Sequence, residues 1–124
     1  MSESVAAAVP IVRCFAGEQG CGLVAAAVER MQESESSCPH LSDLLGIPSA
    51  PGAERRTLHL FAYGRRARVV VDGPTAIGTI GASDLIPAGR LLRLLRNGPV
   101  LGFAKDAEKI VLLLNVAWLL EQAA

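Results

Sequence analysis

Between Arg56 and Asp72 the chain alternates with a period of two. Leu58, Leu60 and Ala62 take every second place against Thr57, His59, Phe61 and Tyr63. Past a turn at Gly64-Arg65, the residues Ala67, Val69 and Val71 alternate with Arg66, Arg68, Val70 and Asp72. Alternation of this kind marks a strand that turns one face inward, so the segment predicts an antiparallel hairpin with one apolar and one mixed face. Gly73-Pro74 ends it, and Ile77 to Ile80 reads as a separate short strand between glycines.

The rest of the chain punctuates itself in the same way. Ile11 to Ala16 is a short strand, Gly17-Glu18-Gln19-Gly20 a turn, and Cys21 to Ala26 the returning strand. Ala25 to Met31 suits helix by its alanines and strand by its pattern, and both readings stay open. Residues 32–40 are polar and unpatterned, a loop. Leu41 to Gly46 is one helical turn, which Gly46 closes and Pro48 keeps from continuing; residues 49–55 form a further loop. Ala88 to Arg96 predicts a short helix stopped by Asn97-Gly98-Pro99. Val100 to Ala104 and Lys109 to Asn115 form a second hairpin around Lys105-Asp106-Ala107-Glu108, and Val116 to Gln122 closes the chain as a helix. There is no internal repeat. Many short strands joined by Gly/Pro turns predict a mainly β fold of the small-barrel or sandwich kind.

Composition narrows the partners more than the fold. The chain has 124 residues, 51% hydrophobic and 19% charged, which fits one folded domain and excludes intrinsic disorder. Twelve Lys and Arg balance twelve Asp and Glu. The balance is uneven along the chain: residues 1–50 carry six acids and two bases, residues 51–100 three acids and eight bases. A bipolar surface suits oriented docking between proteins better than wrapping a polyanion. Aromatics at 4% are too few for a stack of base-binding platforms. Cys14, Cys21 and Cys38 are an odd set, which argues against a disulfide framework and for a reducing, cytoplasmic setting. Glu3 stands where a secretory signal needs a basic residue, and Ile110 to Leu120 is far short of a bilayer span.

No catalytic or metal constellation stands out. Cys38-x-His40 puts a thiol near an imidazole, but no CxxC or HxxxH spacing supports four-ligand zinc. Gly-x-Ser-x-Gly is absent, His40 and His59 have no marked acid partner, and the glycines match neither phosphate-binding fingerprint. Arg55, Arg56, Arg65, Arg66 and Arg68 cluster around the first hairpin, while Arg90, Arg93 and Arg96 share one face of the expected helix. Phosphate binding by a small nucleic-acid-binding barrel is therefore the alternative reading; a solvated polar face is the plainer one.

The order of the segments resembles that of CheW-like domains. Arg65-Arg66-Ala67-Arg68-Val69-Val70-Val71-Asp72-Gly73 looks like the family strand that runs into Val-Asp-Gly, and Ala82 to Pro87 resembles the polar segment after it. Leu101-Gly102-Phe103-Ala104, Ile110 to Leu114, Asn115 and Leu119-Leu120 resemble the last hairpin and closing helix. Asp43-Leu44-Leu45-Gly46 is similar to the mid-domain turn, in shortened form, and Ile11 to Met31 to the opening strand pair. The resemblance implies two small SH3-like or OB-like β-barrel subdomains and short helices, no catalytic activity and no cofactor. It implies an adaptor that joins the cytoplasmic tip of a chemoreceptor to a CheA-like histidine kinase. The divisions it implies are a flexible tail over 1–9 and one domain over 10–124. Within that domain, 10–48 is a truncated first subdomain with the mid-domain turn, 56–115 the second barrel and 116–124 the C-terminal helix.

One departure is large. Between Met31 and Leu41 the family carries two strands, and here only the Ser/Glu loop joins the two points, a deficit on the order of twenty residues. The first subdomain is thus expected to leave an open strand edge, available for self-association. The resemblance places partner contacts at Val28, at Arg30 (where the family tends to have an acid), and at Thr57, Leu58 and Val70 along the strands lining the same region. A family interface arginine has no counterpart. The expectation is an adaptor that keeps receptor binding and binds the kinase more weakly than the family does.

Overall fold

The computed structural model describes residues 8–33, 37–49, 52, 54–87, 89 and 97–123. Of the expected helix over residues 88–96 only Gly89 is described, and its three arginines and most of the expected tail lie outside the described residues.

Seven strands form one sheet: β1 (Val9–Ala16), β2 (Gln19–Val24), β3 (Val28–Glu33), β4 (Arg55–Ala62), β5 (Arg65–Ile80), β6 (Val100–Asp106) and β7 (Lys109–Leu114). Their order across the sheet is β3-β4-β5-β1-β2-β7-β6. All neighbours are antiparallel except β2 and β7, which pair in parallel at Cys21–Leu112 and Gly22–Leu113. The named helices among the described residues are α1 (Leu41–Leu45) and α2 (Val116–Ala123). Gly46 closes α1 in the left-handed conformation, as the sequence predicts. Asn115 caps α2: its Oδ1 accepts the Trp118 N–H at 3.4 Å, while its Nδ2 donates to the Gly98 carbonyl at 3.1 Å.

The central correction concerns Gly73-Pro74. The pair does not end the strand, because β5 runs on for sixteen residues through it and absorbs the expected strand at Ile77. The first half of β5 pairs with β4 and the second half with β1. At the crossover Arg13 faces Ala76 and Phe15 faces Asp72, so β5 takes four residue steps where β1 takes two. A bulge of this kind tolerates proline's missing N–H and bends the strand. Glycine is required beside it: Gly73 has φ +72°, and a Cβ there would lie 2.6 Å from the Phe15 ring. The bend also regroups the strands. Through it β1 pairs with the second half of β5, while β2 pairs with β7.

The ambiguous stretch after β2 resolves into both of its readings in sequence, a 3-10 turn over Ala25–Ala27 followed by strand β3. The first hairpin turns at Tyr63-Gly64, one residue earlier than expected, with Ala62 facing Arg65. The Val70 N–H donates to the Pro39 carbonyl at 2.8 Å, so the segment before α1 runs along the edge of β5 that faces away from β4. β3 is the outermost strand at the β4 end of the sheet.

The core lies inside the bent sheet. Leu58 and Leu60 of β4, Val69 and Val71 of β5, Cys14, Cys21 and Leu23 of the first two strands, Leu41 of α1 and Leu119 and Leu120 of α2 form one buried cluster. Burial pushes the Cys14 thiol well up, with Cys21 and Asp72 adding to the effect. Burial also pushes Cys21 up to about 12, against a smaller lowering by a backbone hydrogen bond at Ala16. Both therefore stay protonated, small hydrophobic groups rather than nucleophiles. The expected result is that neither thiol is alkylated at pH 8 until the chain unfolds. Since the unfolded thiols ionise first, stability falls as the pH rises past about 8.5. Mass-resolved alkylation with and without denaturant checks the first point and urea melts across that range the second.

Candidate protein-interaction groove

An apolar groove separates the β4–β5 hairpin from the β6–β7 hairpin. Val24, Ala26 and Ala27 form its floor; Phe61, Ala62 and Tyr63 form one wall; Leu101, Leu114, Asn115 and Val116 form the other. Its cavity volume is about 470 Å³. Each wall is placed by a local feature of the chain. The 3-10 turn between β2 and β3 brings two alanines to the floor. The tight β4–β5 turn lifts Tyr63. In β6, Val100 faces Leu114 and Gly102 faces Leu113, which leaves Leu101 as the extra residue of a bulge. A bulged residue is re-aimed out of the ladder. Val24, Leu101 and Leu114 also line a second trough that continues past Val9 and Leu85, so the apolar surface extends beyond one pocket.

Large apolar side chains are costly to leave in water, and here they gather. Val24 is 42% exposed, Leu101 58% and Tyr63 78%. Grouped apolar exposure of this kind marks an interaction surface. Around the wall, Arg66 lies over the Phe61 ring at 4.5 Å and pairs with Glu29 through its Nε at 3.3 Å. That contact fixes the aromatic ring.

Of the residues expected to touch partners, Val28 directly follows the groove floor and is half-buried opposite Leu60, and Arg30 is exposed opposite His59. Thr57, Leu58 and Val70 are interior. Leu58 is in the core, and Thr57 and Val70 face each other across β4 and β5, fully buried. These three shape the frame and present no surface to a partner. The sequence reading did not single out Val24, Tyr63 or Leu101. Their signal is faint, because an apolar residue on a strand normally reads as core and only the bulge and the turn redirect these.

A polar hollow beside the middle of β4 is lined by Glu29, Ser37, Cys38, His59, Arg66 and Arg68. Among the described residues no three His, Cys, Asp or Glu side chains come together in a way that could hold a metal ion. The first arginine cluster is largely neutralised: Arg55 pairs with Asp72, Arg56 with Glu54 and Arg66 with Glu29. Among the described residues no helix is long and apolar enough to cross a membrane.

A bent, mainly antiparallel seven-stranded sheet, closed by a short C-terminal helix and split by a groove between its two hairpins, is a CheW-like fold. Among solved structures the fold is similar to that of the scaffolding protein TtCheW from Thermoanaerobacter tengcongensis, at 17% identity over 87% of this chain and 84% of that one, with a TM-score of 0.69. No family model and no curated protein matches the sequence.

Proposed function

We propose that this chain is a non-enzymatic, cytoplasmic adaptor of a bacterial chemosensory array, whose groove docks the cytoplasmic tip of a chemoreceptor. The observation that carries this reading is the cluster of exposed apolar side chains between two rigid hairpins on a CheW-like frame. Such a surface binds by shape and burial, without chemistry on the partner. Contact with the histidine kinase regulatory domain is weaker than in the family, because the segment between Met31 and Leu41 is too short to supply the two strands that carry family interface residues.

Two other readings have less support. Nucleic-acid binding needs free cations to neutralise phosphates, and three arginines of the first cluster already hold carboxylates. Self-association along β3 is opposed by its side chains: Glu29, Arg30 and Glu33 are charged, and Glu29 sits in a bulge between Val28 and Arg30. Charges and bulges are what deter strand addition at an edge.

Pull-downs of the chain with a receptor-tip fragment and, separately, with the kinase regulatory domain test the proposal. Retention of the tip with little or no kinase domain is expected. Full-strength capture of the kinase domain with none of the tip overturns it.

A further inference from the structure

We infer that Tyr63, at the tip of the β4–β5 hairpin, is the anchor by which the partner is held, and that the partner is a helix with an apolar face flanked by a carboxylate that meets Arg65. The inference rests on the reading of the groove as a docking site and names the residue and the charge that define its occupant.

The argument starts from the turn. A two-residue hairpin turn with positive φ at both central residues selects Asn or Gly, which tolerate that backbone. Here φ is +54° at Tyr63 and +72° at Gly64. A tyrosine in that conformation carries local strain. Nothing within the chain offsets it, since the side chain is 78% exposed. Among the described residues the other two non-glycine residues of positive φ differ: Asn97 is a residue type suited to that backbone, and Ala107 has only a methyl group for a partner to grip. Tyr63 thus costs stability twice, through its backbone and its exposed ring, and returns no packing to its own fold. It lines the groove beside Phe61 and opposite Leu101. A large, stiff ring with a polar tip, standing at the rim of an apolar groove, is the type of side chain that dominates interface energetics.

The charge at the same tip selects the flank of the partner. Arg66 is engaged by Glu29 and Phe61, whereas the exposed Arg65 has no ion-pair partner among the described residues. An acidic side chain beside the apolar face of an incoming helix satisfies it. The groove is apolar on both walls, so a helix laid between them offers apolar residues at i, i+3 and i+4 and keeps its carboxylate outside.

The test compares Tyr63→Asn, Arg65→Glu and Leu101→Asp with the unaltered chain. Binding to a chemoreceptor-tip fragment is read by calorimetry at two salt concentrations, and folding by thermal melts. Tyr63→Asn is expected to raise the melting temperature by a few degrees, because asparagine suits the turn. The same variant is expected to lose at least tenfold in affinity. Arg65→Glu weakens binding and flattens its salt dependence. A Tyr63→Asn variant that binds as tightly as the unaltered chain, while Leu101→Asp does not bind, overturns the anchor and leaves the groove reading intact. An unaltered chain that fails to bind the tip overturns both. The opposite signs of the stability and affinity changes separate an anchor from a merely structural turn residue.

Discussion

If the groove docks the receptor tip as proposed, Leu101→Asp is expected to weaken its capture strongly and to leave the fold intact. Leu101 is the bulged residue of β6, 58% exposed, and lines both the groove and the trough that continues it. In the free chain the change replaces an exposed apolar group with a solvated carboxylate, so stability shifts by about 0.5 kcal/mol or less. In the complex the carboxylate must leave water inside a groove whose lining holds no cation, and a desolvated, unpaired charge is costly. An affinity loss of about 30-fold or more follows, the range of an interface hot spot. Circular dichroism and a thermal melt establish that the variant is folded, and calorimetry against the tip fragment measures the loss. Tip binding within threefold of the unaltered chain would remove the groove as the docking surface.

How much of this was legible in the sequence depends on the scale of the signal. The strands of both hairpins follow from period-two alternation, because each strand buries one face and the pattern records it. The closing helix and the Gly46 cap follow from local chemistry in the same way. The continuous β5 was not legible: Gly73-Pro74 is the ordinary signature of a strand end, and only the Phe15 ring packed over Gly73 shows that the pair is a bend. The partner residues divide along the same line. Val28 and Arg30 lie on β3, beside the groove floor or exposed, but Thr57 and Val70 sit on the face that alternation assigns to solvent and are nonetheless buried. Segments distant in sequence pack beside that strand, with Pro39 and His40 pairing along the β5 edge at Val70. Alternation along one strand carries no record of such a neighbour. The groove itself arises between two hairpins about forty residues apart in the chain, so no local pattern encodes it.

Asp72→Ala is the substitution expected to cost the fold most for the loss of one polar side chain. Asp72 is 2% exposed and stands just before the bend of β5. Its Oδ2 accepts the Gly17 N–H at 2.8 Å, and its Oδ1 accepts the Arg55 Nε–H at 3.1 Å. The carboxylate thereby ties the β1–β2 turn and the start of β4 to the place where β5 passes from one half of the sheet to the other. The turn has no room to find another acceptor: Gly17 has φ +62°, and a Cβ on it would lie 2.1 Å from the Pro48 carbonyl oxygen. Alanine at 72 therefore leaves the Gly17 N–H buried and unpaired. A charge-assisted hydrogen bond contributes about 1.5–3 kcal/mol, and a buried orphan donor costs about 1–3 kcal/mol. The two overlap, so a loss of about 2–4 kcal/mol is expected, a large share of a typical domain stability of about 5–15 kcal/mol. The arginine contributes the smaller part, since its side chain is 36% exposed and regains water when the pair is broken. Urea denaturation therefore ranks the variants. Asp72→Asn, which keeps an oxygen for Gly17 but no charge, costs less than Asp72→Ala, and Arg55→Ala costs about 1 kcal/mol or less. Were Arg55→Ala to cost as much as Asp72→Ala, the ion pair and not the turn would be the source of the stability. The same bend sets the two hairpins against each other across the groove. Asp72→Ala is thus expected to weaken receptor-tip binding although residue 72 lies outside the groove lining, whereas Leu101→Asp removes binding with the melt unchanged.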